Sequence, residues 1–186
     1  EEWADKIKIN ALHGMSKDAW KRYSDEGFKH YQVLYPGFKY NMMDIQAALG
    51  LHQLKRIGKY LERRNEIWNR YDEAFSDLPV FTPAPPAPET THARHLYTLL
   101  VDIDRLKLSR DDVQQRLHHL NIGTGIHYIS LHLHEYYRKT YGFKAEDYPA
   151  ATFISERTLS LPLSAKLTDQ DVDDVIRSVR FVLTRG

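Results

Sequence analysis

The sequence predicts an α/β protein in which a small α/β sandwich is preceded by one long helix. Three observations lead there. Leu54, Ile57, Leu61, Trp68, Tyr71, Phe75 and Leu78 recur at steps of three, four and seven residues, which lines one face of a helix. Beyond a proline-rich stretch, short apolar runs alternate with capped amphipathic segments, the pattern of strands covered by helices. The chain then closes on a second stripe formed by Val172, Val175, Ile176, Val179 and Leu183.

Taken in order, Trp3, Ile7 and the run Ile9 to Leu12 give an amphipathic first helix, and a chain that opens inside a helix implies a preceding segment. Ser16 to Tyr35 is polar and aromatic; with Ser24-Asp25-Glu26-Gly27 inside it, it reads as a loop ended by Pro36-Gly37. The long helix is expected from Met43 to Leu78. Asn41 or Asp44 can cap its start, and Pro79 stops it because proline cannot continue the ladder. Its other face carries Lys55, Arg56, Lys59, Glu62, Arg63, Arg64 and Glu66, a mixed run that reads as solvated surface. Thr82 to Pro88 holds four prolines in seven residues and reads as an extended connector.

After the connector, His95 to Ile103 reads as a strand. Ser109-Arg110-Asp111-Asp112 opens a helix carrying Val113, Leu117 and Leu120. Gly123 to Ile129 is expected as a second strand, Tyr136 to Tyr141 and Ala150 to Arg157 as short helices, and Thr158 to Leu161 as a third strand. Thr168 caps the closing helix and Asp171 answers it. The divisions that follow are residues 1–42, the helix 43–78 and a small α/β domain over 79–186.

A hydrophobic share of 42% with 12% aromatic residues supplies a packed core, and 27% charged residues is ordinary for a globular protein. The net charge of +1 creates no long-range field to gather nucleic acid or anionic lipid, so any anion must be met by a local site. Without cysteine there is no disulfide, thiolate nucleophile or cysteine-ligated zinc, which fits a reducing cytoplasm. Glu1 to Lys6 have neither the basic start nor the apolar stretch of a signal peptide, and no run reaches membrane-spanning length.

His127, His132 and His134 lie close in sequence beside Glu135, but neither a His-x-x-x-His pair nor a His-Glu-x-x-His motif is present, so strand-end histidines are favoured over a metal site. A hydrolytic triad lacks its Gly-x-Ser-x-Gly elbow. The third candidate is an anion site at Tyr35 to Asn41. Gly37 permits a tight turn, the following helix offers unpaired N–H groups and Lys39 adds a point charge, the elements that hold a phosphate. Read without a relative, the same residues also describe a solvated lysine among packed aromatics.

The run Gly37-Phe38-Lys39-Tyr40-Asn41-Met42-Met43-Asp44-Ile45-Gln46-Ala47-Ala48-Leu49-Gly50 resembles the signature of the DegT/StrS family of nucleotide-sugar aminotransferases. Leu12 to Trp20, Asn121 to Tyr128 and Ser155 to Leu163 resemble further family segments in the same order. The Phe-Lys-Tyr-Asn form at 38–41 is similar to the enzymes that make 4-amino-4-deoxy-arabinose on a uridine diphosphate carrier. Many relatives instead carry Asn-Tyr-Arg at the positions of Lys39, Tyr40 and Asn41.

The resemblance implies the C-terminal part of a fold-type-I pyridoxal-phosphate-dependent transferase. Residues 1–42 would then end its large cofactor-binding domain, and the helix 43–78 would lie between domains. It implies a homodimer with shared active sites, Lys39 and Asn41 at the cofactor, and His127, Tyr128 and His132 at the nucleotide-sugar substrate. The Schiff-base lysine and its Glu-Gly-Gly stretch are expected upstream of Glu1, so no catalytic residue is expected in this chain and the chain alone is expected to be inactive. Its complete form would move an amino group, from glutamate as the expected donor, to a keto group on a nucleotide-linked sugar. The competing expectation is a non-catalytic binding or interaction module derived from the same domain.

Overall fold

The computed structural model describes residues 1–16 and 31–185; the expected Ser24 to Gly27 turn lies outside them. The chain divides into two compact units, Glu1–Arg56 and Ile57–Gly186.

In the first unit, helix α1 (Glu2–Ala11) is followed by two isolated antiparallel bridges, Leu12 with Lys39 and Met15 with Val33. Helix α2 (Asp44–Leu54) is mostly apolar yet buries no residue within its own unit: Ile45, Leu49, Leu51 and Leu54 are all exposed.

The stretch expected as one long helix is two, since α2 ends at Leu54 and α3 begins at Ile57 (Ile57–Phe75). Between them the Arg56 amide turns back to the Gln53 carbonyl at 3.0 Å, and the helical ladder lapses. The break lies between Gly50 and Gly58, each costing a helix about 1 kcal/mol relative to alanine. Leu54 and Ile57, which join the two stripes in the sequence, are 65% and 61% exposed, so their burial offsets little of that cost.

In the second unit, α3 buries Ile67, Trp68, Tyr71 and Phe75, and Leu78 follows them inward. The antiparallel sheet runs in the order β1 (Val80–Phe81), β2 (Tyr97–Val101), β3 (Thr158–Leu161). Its register sets Tyr97 opposite Leu161, Thr98 opposite Ser160 and Leu99 opposite Leu159. Side chains alternate across a sheet, so Tyr97, Leu99, Val101, Leu159 and Leu161 share one face, and Thr98, Leu100, Thr158 and Ser160 the other.

The apolar face packs into one core with α3, with α5 (Arg110–His119) after the short α4 (Ile103–Leu106), and with the closing helix. Between α5 and β3 the chain forms α6 (Glu135–Tyr141) and α7 (Pro149–Arg157), and it ends in α8 (Asp169–Arg185). Val172, Val175, Val179, Val182 and Leu183 are the buried stripe of α8; side chains of this kind contribute about 1.5 to 3 kcal/mol each on burial. The other sheet face is covered in part by α7, where Phe153 lies 6.1 Å from Phe81.

The two expected capping boxes are present: Ser109 Oγ accepts from Asp112 N at 3.1 Å, and Thr168 Oγ1 accepts from Asp171 N at 3.1 Å. The expected strand at Gly123–Ile129 is not formed. A single bridge joins Gly125 to Ser160, because two glycines within three residues weaken a strand and the segment turns away after one pair. Among the described residues no helix is long and apolar enough to cross a membrane.

Candidate functional site

In the first unit, the candidate turn is held by two glycines in contact. Gly14 has φ of +70°, and a Cβ there would fall 1.8 Å from the Tyr35 carbonyl oxygen; a Cβ on Gly37 would fall 2.1 Å from Gly14 N. This close approach lets the turn pair with the end of α1. Phe38 N donates to Asn10 O at 2.7 Å, His13 N to Phe38 O at 2.9 Å and Tyr40 N to Ala11 O at 2.8 Å.

The rings of Phe38 and Tyr40 stack at 5.1 Å, and backbone alternation turns Lys39 to the opposite side, where its side chain is exposed. Asn41 is half-buried, and its Oδ1 is enclosed without a hydrogen-bond partner among the described residues. Neither Asn41 nor Asp44 is the cap of α2. Met43 is, and its amide donates to the Gln46 side chain at 3.0 Å. Asp44 occupies the first helical turn and meets the positive end of α2 with its own carboxylate, which leaves Lys39 as the cation of this turn.

These residues fit one end of the cofactor that the resemblance implies. A phosphate requires N–H donors, and here they are the Lys39 ammonium and the Asn41 side-chain NH2: the Phe38 and Tyr40 amides are committed to Asn10 O and Ala11 O, and the unpartnered Asn41 Oδ1 is an acceptor that a phosphate does not satisfy. The pyridine end requires an enclosed lysine. Each lysine among the described residues is exposed.

In the second unit, His127 is half-buried on the polar sheet face. Its Nδ1 lies 2.9 Å from Ser160 Oγ, which lies 3.2 Å from Thr98 Oγ1. Tyr128 is 74% exposed, with its ring edge-on to His127 at 4.9 Å. His132 sits differently. It is 6% exposed, and its Nε2 lies 2.8 Å from Thr152 Oγ1, whose hydroxyl donates to Ala145 O at 2.7 Å. Thr152 has one proton and gives it to that carbonyl, so His132 Nε2 donates to the threonine, and the ring serves as a strut beneath Tyr148 at 5.0 Å.

His134 Nε2 reaches Ile129 O at 3.2 Å and Glu135 pairs with Lys139, so these two close the local turn and helix. Ser160, Thr98 and Gly14 belong to no chemical motif in the sequence. Ser160 stood in the segment that carries the resemblance, but its meeting with His127 depends on sheet register.

Two buried tyrosines fix the sheet to α3. Tyr71 donates to Pro162 O at 2.9 Å and Tyr97 to Asp72 at 2.8 Å. Burial pushes both phenols well above their ordinary range, and Asp72 adds to the effect at Tyr97, so both remain protonated donors.

Residues 1–180 match the model of the DegT/DnrJ/EryC1/StrS aminotransferase family. Over 184 residues the chain is 48% identical to the spore coat polysaccharide biosynthesis protein SpsC of Bacillus subtilis, covering 98% of this chain and 47% of that protein. It is 48% identical over 186 residues to an uncharacterized protein of Methanocaldococcus jannaschii, covering 100% of this chain and 48% of that one. The chain thus spans about half the length of the curated relatives it matches.

Among solved structures, the putative sugar aminotransferase Spr1654 of Streptococcus pneumoniae superposes in its apo form with a TM-score of 0.77 at 34% identity, over 99% of this chain and 44% of that one. Its PLP form gives 0.77 at 32% identity. The fold is that of the C-terminal part of a fold-type-I aminotransferase, and the chain belongs to the DegT/DnrJ/EryC1/StrS aminotransferase family.

Proposed function

We propose that the complete protein is a pyridoxal-phosphate-dependent aminotransferase that moves an amino group, from glutamate, to a keto group of a nucleotide-linked sugar. It works in the cytoplasm as a homodimer with shared active sites. The observation that carries this reading is the family match over residues 1–180, and the glycine-pinned Gly37–Asn41 turn that presents the Lys39 ammonium supports it. Lys39 and Asn41 hold the cofactor phosphate, His127 and Tyr128 contact the sugar substrate, and His132 braces the segment between them and α6. Pyridoxal phosphate supplies the carbonyl carbon that carries the amino group between donor and acceptor.

The exposed apolar surface of α2 supports a second copy or the rest of the polypeptide covering it, since a helix apolar on nearly all sides is normally buried. The 4-amino-4-deoxy-arabinose type, on a uridine diphosphate carrier, is the substrate class that the Phe-Lys-Tyr-Asn form favours. Inactivity of the chain by itself is part of this proposal, supported by the exposure of every described lysine where a Schiff base requires an enclosed one.

The test compares the complete protein with residues 1–186 alone, each given pyridoxal phosphate, glutamate and a uridine-diphosphate keto-sugar. Turnover is expected from the complete protein only. Turnover by the isolated chain overturns the inactivity, and none from the complete protein favours a binding module.

A further inference from the structure

Gly125 leaves open the space that the His127 ring occupies: a Cβ on Gly125 would fall 2.6 Å from His127 Cε1 and 3.2 Å from Nδ1. The same residue bridges to β3, with Gly125 N donating to Ser160 O at 3.0 Å and Ser160 N to Gly125 O at 2.7 Å. The ring is therefore seated on the backbone that carries its hydrogen-bond partner. On its other side stands Tyr128, edge-on. Nδ1 is committed to Ser160 Oγ, and Nε2 has no partner among the described residues.

Ser160 is 4% exposed and its hydroxyl has two neighbours, His127 Nδ1 and Thr98 Oγ1. A hydroxyl carries one proton and accepts on its lone pairs, so this chain of groups has two complete arrangements. In one, Thr98 donates to Ser160, Ser160 donates to Nδ1, and the ring proton is on Nε2. In the other, Nδ1–H donates to Ser160, Ser160 donates to Thr98, and Nε2 is a bare acceptor. Neither strands the buried Ser160 hydroxyl, so neither incurs the cost of an unsatisfied polar group, about 1 to 3 kcal/mol.

We propose that Thr98 and Ser160 are positioning residues that hold His127 with Nε2 outward and let that nitrogen serve either as donor or as acceptor. The ligand group it suits is a sugar hydroxyl, which itself both donates and accepts. The assignment of a sugar to this site rests on the proposed function; the relay rests on the geometry alone. A single fixed tautomer would meet a hydroxyl in one orientation only, whereas the relay meets it in both.

Thr98→Val tests the relay directly in the complete protein. Valine can neither donate to Ser160 nor accept from it, so the Ser160 proton is left with Nδ1 as its acceptor. The neutral His127 ring is expected to shift to the Nε2–H tautomer, read by its two ring-nitrogen chemical shifts in mildly alkaline buffer. Ser160→Ala removes the bond to Nδ1 and is expected to raise KM for the sugar nucleotide several-fold while leaving KM for the amino donor unchanged. Gly125→Ala displaces the ring and is expected to act in the same direction.

Ring-nitrogen shifts that stay at their wild-type values in both Thr98→Val and Ser160→Ala, with the sheet intact by circular dichroism, overturn the relay. Altered shifts with no change in the sugar KM in Ser160→Ala or in His127→Ala support the positioning and overturn the sugar as its ligand.

Discussion

Arg180 grips both carboxylate oxygens of Asp77, Nη1 to Oδ1 at 2.6 Å and Nη2 to Oδ2 at 2.8 Å, fastening α8 to the residues that end α3. Two further arginines repeat the link along the same pair of helices. Arg70 reaches Asp169 and Asp173, and Arg63 reaches Asp169 at 2.8 Å and the Leu167 carbonyl at 3.0 Å. Arg63, Arg70 and Asp77 are seven residues apart, two helical turns, which brings all three to one edge.

This edge makes stability depend on acid. Arg180 holds the Asp77 carboxyl below its usual range, and Arg63 does the same at Asp169; the Ser109 and Thr168 caps lower Asp112 and Asp171. A lowered folded-state pKa means that the unfolded chain binds more protons across the interval between the two values. The contribution is therefore fully present above the unfolded value of about 4 and is lost as pH falls through the lower folded values. Melting temperature should be flat near neutrality and fall below about pH 4, and Asp77→Asn with Asp169→Asn should make that fall shallower. An equally steep fall in the double variant would remove these two carboxylates from the account.

The core of the second unit centres on Ile67, Tyr71 and Phe75, each 0% exposed. Ile67→Ala should cost about 2 to 5 kcal/mol, seen as a lower urea midpoint. Leu61, which the stripe in the sequence marks as core, is only half-buried, and Leu61→Ala should cost clearly less. Equal midpoints for the two variants would contradict this gradient.

What the sequence makes legible here is local chemistry. The boxes Ser109 with Asp112 and Thr168 with Asp171 are three-residue relationships, and the third strand was expected over the same residues that form β3. Less legible is whatever depends on distant partners. The stripe through Leu54 and Ile57 continues in the sequence, yet the helix breaks there, where both side chains are mostly exposed. Ile67 lies one residue beside the stripe and is fully buried, since an α/β core engages more of a helix than one narrow row. His132 reads like its neighbour His127, and only the fold separates a ring bonded to α7 from one bonded to β3.

The glycine contact of the first unit yields a paired test. Gly14→Ala places a methyl where φ is +70° and the Tyr35 carbonyl already stands, so the turn must open. Amide hydrogens of Leu34, Phe38 and Tyr40 should then exchange faster, because their acceptors Gly14, Asn10 and Ala11 move, while those of β2 keep their protection. Gly58→Ala meets nothing within 4 Å and should instead stabilise α3 by about 0.5 to 1 kcal/mol. Unchanged exchange at Phe38 in Gly14→Ala would show that the contact does not hold the turn.

Lys39 is the residue on which the proposed cofactor role turns. It is exposed, so its removal disturbs no packing, and its backbone remains pinned through Phe38 and Tyr40. In the complete protein Lys39→Ala should weaken retention of pyridoxal phosphate by about 1 to 3 kcal/mol, a roughly five- to 150-fold change in Kd, with an unaltered melting temperature for the cofactor-free form. Lys39→Arg keeps the charge and should recover part of the affinity, whereas Lys39→Gln should not. If the turn serves the partner's site, mixing Lys39→Ala subunits with subunits that lack the Schiff-base lysine assembles one site with both defects and one with neither. Such a mixture should regain activity, approaching half that of the wild type per heterodimer. If the turn serves its own subunit, every site in the heterodimer carries one defect and the mixture stays at the level of its parents. Equilibrium dialysis of the cofactor and the activity of the mixture therefore separate three outcomes: a clamp acting across the dimer, a clamp acting within one subunit, and a lysine that touches no phosphate.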